Sequence, residues 1–285
     1  MTYYVAGYDA ENFDKDGPFQ APTCLEACRK IVEKHLKYRI PATFFVVGEA
    51  LEANPKEYRE LLDNPLFEIA SHTYSHKTLL DHPVCGPGCT EEEIWEEIER
   101  GKKVVEDIFQ RPCKGLRTPC GYVEHLQAEP LVLKILSETG HEYLSSVGWG
   151  MLFTQPAPLM QSFTYGRVGF PNIREFPAHG WQDLLLRGHV KLCNLAFPLP
   201  FPDAVPNDYV KTPEEEFATN GKYFIDRALE ENLTYVNFVF HPWSMGLFDS
   251  EMRILDITFE YVAERNMQTI TFSGLNDLLN ESSSK

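Results

Sequence analysis

Short apolar runs alternate with amphipathic stretches along most of the chain. Residues 3–8 (YYVAGY) predict a first strand. Residues 23–37 predict a helix, because Thr23 can cap it and Glu26, three residues on, completes a capping box. The run ATFFVV at 42–47 lies between Pro41 and Gly48 and reads as a strand buried on both faces. A helix is expected over 50–62 and a short strand over 67–70. Thr90 and Glu93 open the longest helix, where Ile94, Trp95, Ile98, Val105 and Ile108 form an apolar stripe. The remaining pattern predicts strands at 114–116, 142–146, 235–240 and 267–272, and helices at 129–139, 213–231 and 250–265. From about 150 to 210 the periodicity breaks down. This stretch is rich in proline, densest in FPLPFPDAVP, with one strand-like piece, IREFP. It reads as an irregular insertion within a single domain spanning 1–285, long enough for a lid or for a contact in a homo-oligomer.

Strands alternating with helices imply an α/β fold with a parallel sheet wrapped by helices, and seven or eight such units favour a barrel over an open sheet. Active sites of parallel α/β folds lie at the C-terminal ends of the strands. That rule selects five clusters. Asp9 and Glu11 follow the first strand and, two apart in extended chain, share a side. Two such carboxylates suit a metal or acid–base work, or are an ordinary polar loop start. His72 and His76 follow the third strand; on a helical turn their four-residue spacing lets both hold one metal ion, although the spacing alone is common. Arg117 precedes Pro119, Cys120 and Gly121. Its guanidinium can grip Asp9 in a bidentate pair, and the turn after it can present backbone N–H groups, or this is a plain β-turn. His241 stands at the end of the strand YVNFVF, ahead of Pro242 and Trp243 as a wall. His179 and Trp181 lie in the irregular region, where a pocket lining and a structural core are about equally expected.

The order of these elements carries more than any one of them. Asp-x-Glu, then Ser-His-Thr-x-x-His (71–76), then Arg-x-Pro-x-Gly (117–121), then a strand-end His resembles the polysaccharide deacetylase (NodB-homology) family, over roughly residues 3–275. The resemblance implies a distorted (β/α)7 barrel and a divalent metal, zinc foremost. It implies His72, His76 and Glu11 as metal ligands, Asp9 as base and Arg117 as its support, with Asp9 and Glu11 open to exchange. It implies an oxyanion donor at the backbone near Cys120 and His241 as general acid. Gly121, Trp149, His179, Trp181 and Trp243 are assigned to the substrate side. One family element is degenerate. Where Asp-x-x-Asp-Trp is usual, this chain has Ser145-Ser146-Val147-Gly148-Trp149, keeping only the tryptophan. Glu175 or Asp183 is the expected substitute partner for His241.

Charge and cysteines narrow the substrate. Lys and Arg number 26 against 42 Asp and Glu, a formal net charge of −16. That excludes nucleic acid as a partner and disfavours an anionic membrane surface. No apolar run is long enough for a membrane helix, and no secretion signal is visible at the start, so a cytoplasmic location is expected. The seven cysteines then read as reduced thiols, with Cys85 and Cys89 in a Gly/Pro loop where a plain loop is expected ahead of a structural metal or a local disulfide. Three functions fit: N-deacetylation of an N-acetylated sugar or small amide, opening of a cyclic ureide or imide on the same scaffold, or an inactive carbohydrate-binding relative. In each case the partner is a small molecule or an oligosaccharide.

Overall fold

A computed structural model describes residues 1–12, 23–83, 85–151, 155–182 and 212–283. Its nine-stranded sheet runs in the order β6-β7-β5-β4-β3-β2-β1-β8, with β9 added beside β1. The strands are β1 (Tyr3–Ala10), β2 (Ala42–Val46), β3 (Phe67–Ser71), β4 (Gly115–Tyr122), β5 (Tyr143–Val147), β6 (Phe163–Tyr165), β7 (Phe170–Glu175), β8 (Tyr235–Phe240) and β9 (Gln268–Thr269). All pairings are parallel except β6 on β7. Past β7 the chain stays on the rim. Phe176 and Ala178 donate backbone N–H groups to Leu144 and Val147 of β5, and His179 donates to Asn237 of β8. These bonds bring the two ends of the sheet together as a distorted barrel, as expected for a (β/α)7 fold.

The two capping boxes form as expected. Thr23 and Glu26 open α1 (Cys24–Tyr38), and Thr90 and Glu93 open α4 (Glu91–Phe109). Elsewhere local chemistry redraws the boundaries. The helix expected over 50–62 is two, α2 (Gly48–Ala53) and α3 (Pro55–Leu62). Asn54 before the proline is held out of the helical region, and Pro55 starts a new first turn. The helix expected over 213–231 contains a π turn, Phe217–Gly221, where Asn220 binds both the N–H and C=O of Trp181. The strand expected over 267–272 shrinks to two residues. Phe272 instead begins a helix, Phe272–Ser283, that the pattern did not predict.

That helix closes the bottom of the barrel. Inside, Phe45, Tyr143, Phe176, Tyr235 and Phe272 pack with Val5, Ala70 and Leu275. Phe272 lies nearly parallel to the Tyr143 ring, with centroids 5.9 Å apart. The N–H of Phe272 binds Thr43 and that of Ser273 binds the half-buried Glu68, which also accepts from the Tyr143 hydroxyl. Gly115 makes room for this layer, since a Cβ there would fall 1.8 Å from the Tyr143 ring. Gly115→Ala is therefore expected to cost at least about 2 kcal/mol, the scale of overpacking in a filled core. Denaturant unfolding measures it, and an unchanged midpoint would show that the ring is free to move.

Candidate metal-centred active site

The strand ends converge as the sequence order suggests. β1 carries Asp9 near its end and Glu11 just beyond it, β3 leads into His72 and His76, β4 carries Arg117 through Gly121, and β8 leads into His241. Asp9, Glu11, His72, His76, Arg117, Cys120, Gly121 and His241 line one pocket, together with Trp149. Asp9, His72 and Arg117 are buried.

The two histidines do not meet through a helical turn. Residues 72–76 form an irregular bend, with Thr73 at φ 61° and His76 at φ 63°. Glu97 of α4 holds this bend by accepting the N–H and the hydroxyl of Ser75. Glu97 was missed in the sequence, although it is the charged residue on an otherwise apolar stripe beside Ile94 and Ile98. The His72 and His76 rings end with centroids 4.8 Å apart. Glu11 Oε2 contacts His76 Nε2 and lies 3.4 Å from His72 Nε2.

These three donor atoms lie within 4.8 Å of one another. Glu11 Oε2 is fully buried and accepts no well-aligned hydrogen bond. His72 Nδ1 is 2.9 Å from the Arg117 carbonyl, an acceptor, so the Nε2 lone pair is left facing the cluster. Two imidazoles and a carboxylate with an orphan oxygen fit a divalent cation, in the three-ligand pattern of catalytic zinc sites.

Asp9 sits beside this cluster. Burial pushes its pKa up, but Arg117, His72 and His241 outweigh it and hold the carboxyl below its ordinary value. Burial likewise opposes ionisation of Glu11, and the histidines, His76 first, overcome it and hold it well below its ordinary value. The Arg117 grip is not bidentate. One guanidinium nitrogen donates to Asp9 at 2.7 Å, while Nε donates to Ser145 Oγ at 3.2 Å. The guanidinium carbon stands 4.2 Å above the Phe45 ring. Ser145 thus takes a polar contact with the arginine at a position where the resembled motif has its first aspartate.

His241 Nε2 lies 3.9 Å from Asp9 Oδ2 and 4.0 Å from Glu11 Oε1. Glu175 is not its partner. That carboxylate is buried and accepts from Ser146 N and Oγ, Val147 N and the Tyr165 hydroxyl, so it pins the end of β5. Asp183, the other expected substitute, and the proline-rich run lie outside the described residues.

Three expected substrate contacts have other roles. His179 is buried, with its ring nitrogens engaged by the Met160 carbonyl and the Asn237 N–H, and burial lowers its pKa to about 4. Trp181 is buried against the π turn. Trp243 donates its indole N–H to Glu11 Oε1 at 3.2 Å, so it positions the proposed ligand from behind. None of the three lines the pocket. Gln182, Thr118, Ser146 and Cys85 do, although the sequence did not assign them to the substrate side.

The turn after Arg117 is a bulge in β4. Register with β5 shifts between Arg117 and Tyr122, and Cys120 and Gly121 have φ 66° and 64°. The Cys120 carbonyl accepts the Trp149 indole N–H at 2.6 Å. Cys120 is also joined to Cys85 by a disulfide. This overturns the expectation that the cysteines are all reduced. The two are 35 residues apart in sequence, and only the fold of the intervening α4 unit brings them together. Cys24, Cys28, Cys89 and Cys113 are free, and Cys193 lies outside the described residues. Among the described residues, no helix is long and apolar enough to cross a membrane.

Residues 12–144 match the family model for polysaccharide deacetylase. A chitooligosaccharide deacetylase of Rhizobium leguminosarum bv. phaseoli is 36% identical over 81 residues, which is 28% of this chain and about a third (32%) of that protein. A polysaccharide deacetylase candidate from Mycobacterium smegmatis superposes with a TM-score of 0.63 at 18% identity, over 91% of this chain and 78% of the other. An allantoinase superposes at 0.64 and 14% identity, over 97% and 88%.

Proposed function

We propose that the chain, whose residues 12–144 match the polysaccharide deacetylase family model, is a metal-dependent amide hydrolase that removes the acetyl group from an N-acetylated sugar. The observation that carries this reading is the cluster of Glu11, His72 and His76 beside an Asp9 held ionised by Arg117. Glu11, His72 and His76 would hold the divalent ion, and zinc suits this donor set. When bound, the ion would supply Lewis acidity to the amide carbonyl and the attacking water. Asp9 takes the proton from the attacking water, and Arg117 and Ser145 fix its orientation. The Cys120–Gly121 turn offers backbone N–H groups to the developing oxyanion. His241 faces the pocket from β8 and gives a proton to the leaving nitrogen.

A second reading, opening of a cyclic ureide or imide, draws support from the likeness to an allantoinase fold over 97% of the chain. The missing fourth-motif aspartates suit it equally. A panel of chitooligosaccharides, allantoin and cyclic imides, assayed with zinc-loaded protein, separates the two. Acetate release from the oligosaccharides is the expected result. Turnover confined to the cyclic amides would replace the first reading with the second.

A further inference from the structure

We infer that Cys85 and Cys120 form a reversibly oxidised pair, a modification site in the pocket wall that dithiol reductants open and low-molecular-weight disulfides close. Its effect on hydrolysis rests on the function proposed above. Both cysteines are partly exposed and line the pocket, whereas the free Cys24, Cys28 and Cys113 are buried. Reagents that enter the pocket can therefore reach the pair. In the exchange, a reductant thiolate attacks one sulfur and the S–S bond breaks as a mixed disulfide forms. The second reductant thiolate then displaces the remaining cysteine. Two electrons and two protons pass to the protein, and the reductant leaves as a cyclic disulfide.

The surroundings let the link open without unfolding. The 82–86 loop folds on itself through paired His82 and Gly86 backbone bonds. His82 Nδ1 accepts the Cys85 N–H at 3.1 Å, so its Nε2–H is the one that donates to the Gly121 carbonyl at 2.8 Å. Nearby, Leu80 N–H donates to the Tyr122 hydroxyl at 3.1 Å. These bonds keep the loop near β4 when the covalent tether is gone. What loosens is the Cys120–Gly121 turn. Its left-handed residues line the pocket, and its carbonyl holds the Trp149 indole. The ligands Glu11, His72 and His76 lie on other elements, so reduction leaves the metal in place.

The test starts from protein purified without reductant, alkylated while denatured and digested. Mass spectrometry is expected to find Cys85 linked to Cys120. Treatment with dithiothreitol, then removed, is expected to abolish the link and shift the Trp149 emission, a shift that Trp149→Phe lacks. It should lower kcat/KM roughly ten- to a hundred-fold, the cost of a slightly misplaced reacting group, with bound metal unchanged. Oxidised glutathione restores the starting values. Cys85→Ser should stay at the reduced level whatever the reagent, and Cys89→Ser should respond like the parent. The inference falls if no Cys85–Cys120 peptide appears, or if opening the link moves neither emission nor activity. If no substrate is turned over, the hydrolase reading fails on its own, and the peptide map and emission still decide the switch.

Discussion

His72→Ala is expected to leave the protein without its divalent ion and to lower kcat/KM by at least about 10³-fold. The size follows from the chemistry lost, since a metal at a reacting carbonyl supplies several kcal/mol of transition-state stabilisation, and about 4 kcal/mol is a thousand-fold in rate. His72 is the ligand best fixed by its surroundings. It is 1% exposed, its Nδ1 is oriented by the Arg117 carbonyl, and its Nε2 faces Glu11. Elemental analysis after dialysis gives the metal stoichiometry, and circular dichroism checks that the variant is folded. Arg117→Leu makes the contrast: it should keep the ion and still lose activity, because Asp9 loses its 2.7 Å partner but the ligands remain. A His72→Ala protein that retains about one ion per chain would overturn the ligand assignment.

The second large effect is on stability in acid. His35, His141 and His179 are buried at 0, 3 and 1% exposure. Burial lowers their pKa values from 6.5 to about 4, about 3 and about 4 respectively. Their folded values lie below the unfolded one, so the unfolded chain takes up protons that the fold refuses. The stability they contribute is complete above pH 6.5 and is lost as pH falls, towards about 4 for His35 and His179 and about 3 for His141. Each contributes a slope of about 1.4 kcal/mol per pH unit inside this window. His76 acts outside this window in the metal-free protein: Glu11 outweighs the burial that would lower its pKa and raises it, so its contribution is complete below pH 6.5 and is lost only as pH rises above that. The three buried histidines together therefore give about 4 kcal/mol per unit between pH 6.5 and 4. Urea unfolding at several pH values between 6.5 and 4 reads it directly. His141→Gln should flatten the slope by about one proton, and a parent protein equally stable across the window would show that the buried histidines protonate in place.

Much of this arrangement was legible in the sequence because it is local. The Thr23–Glu26 and Thr90–Glu93 boxes are contacts across three residues, and both form. The pairs at Asp9 and Glu11 and at His72 and His76 are visible as short spacings. Their positions at strand ends follow from the alternation of strands and helices. The resemblance then supplied roles that spacing alone leaves open.

What the sequence could not hold was everything set by how the strands line up. Asp9 meets Arg117 across 108 residues, and Trp243 meets Glu11 across 232. Parallel register and barrel closure create both contacts, and no periodicity along the chain encodes them. The same closure takes His179 and Trp181 out of the pocket and spends them on backbone groups. It turns Glu175 away from His241 to pin β5. It also brings Cys85 to Cys120, which composition alone reads as reduced thiols. By itself the sequence determined the kinds of elements and the residues able to do chemistry. The tertiary structure decided which of them meet, because those contacts depend on distances across the sheet.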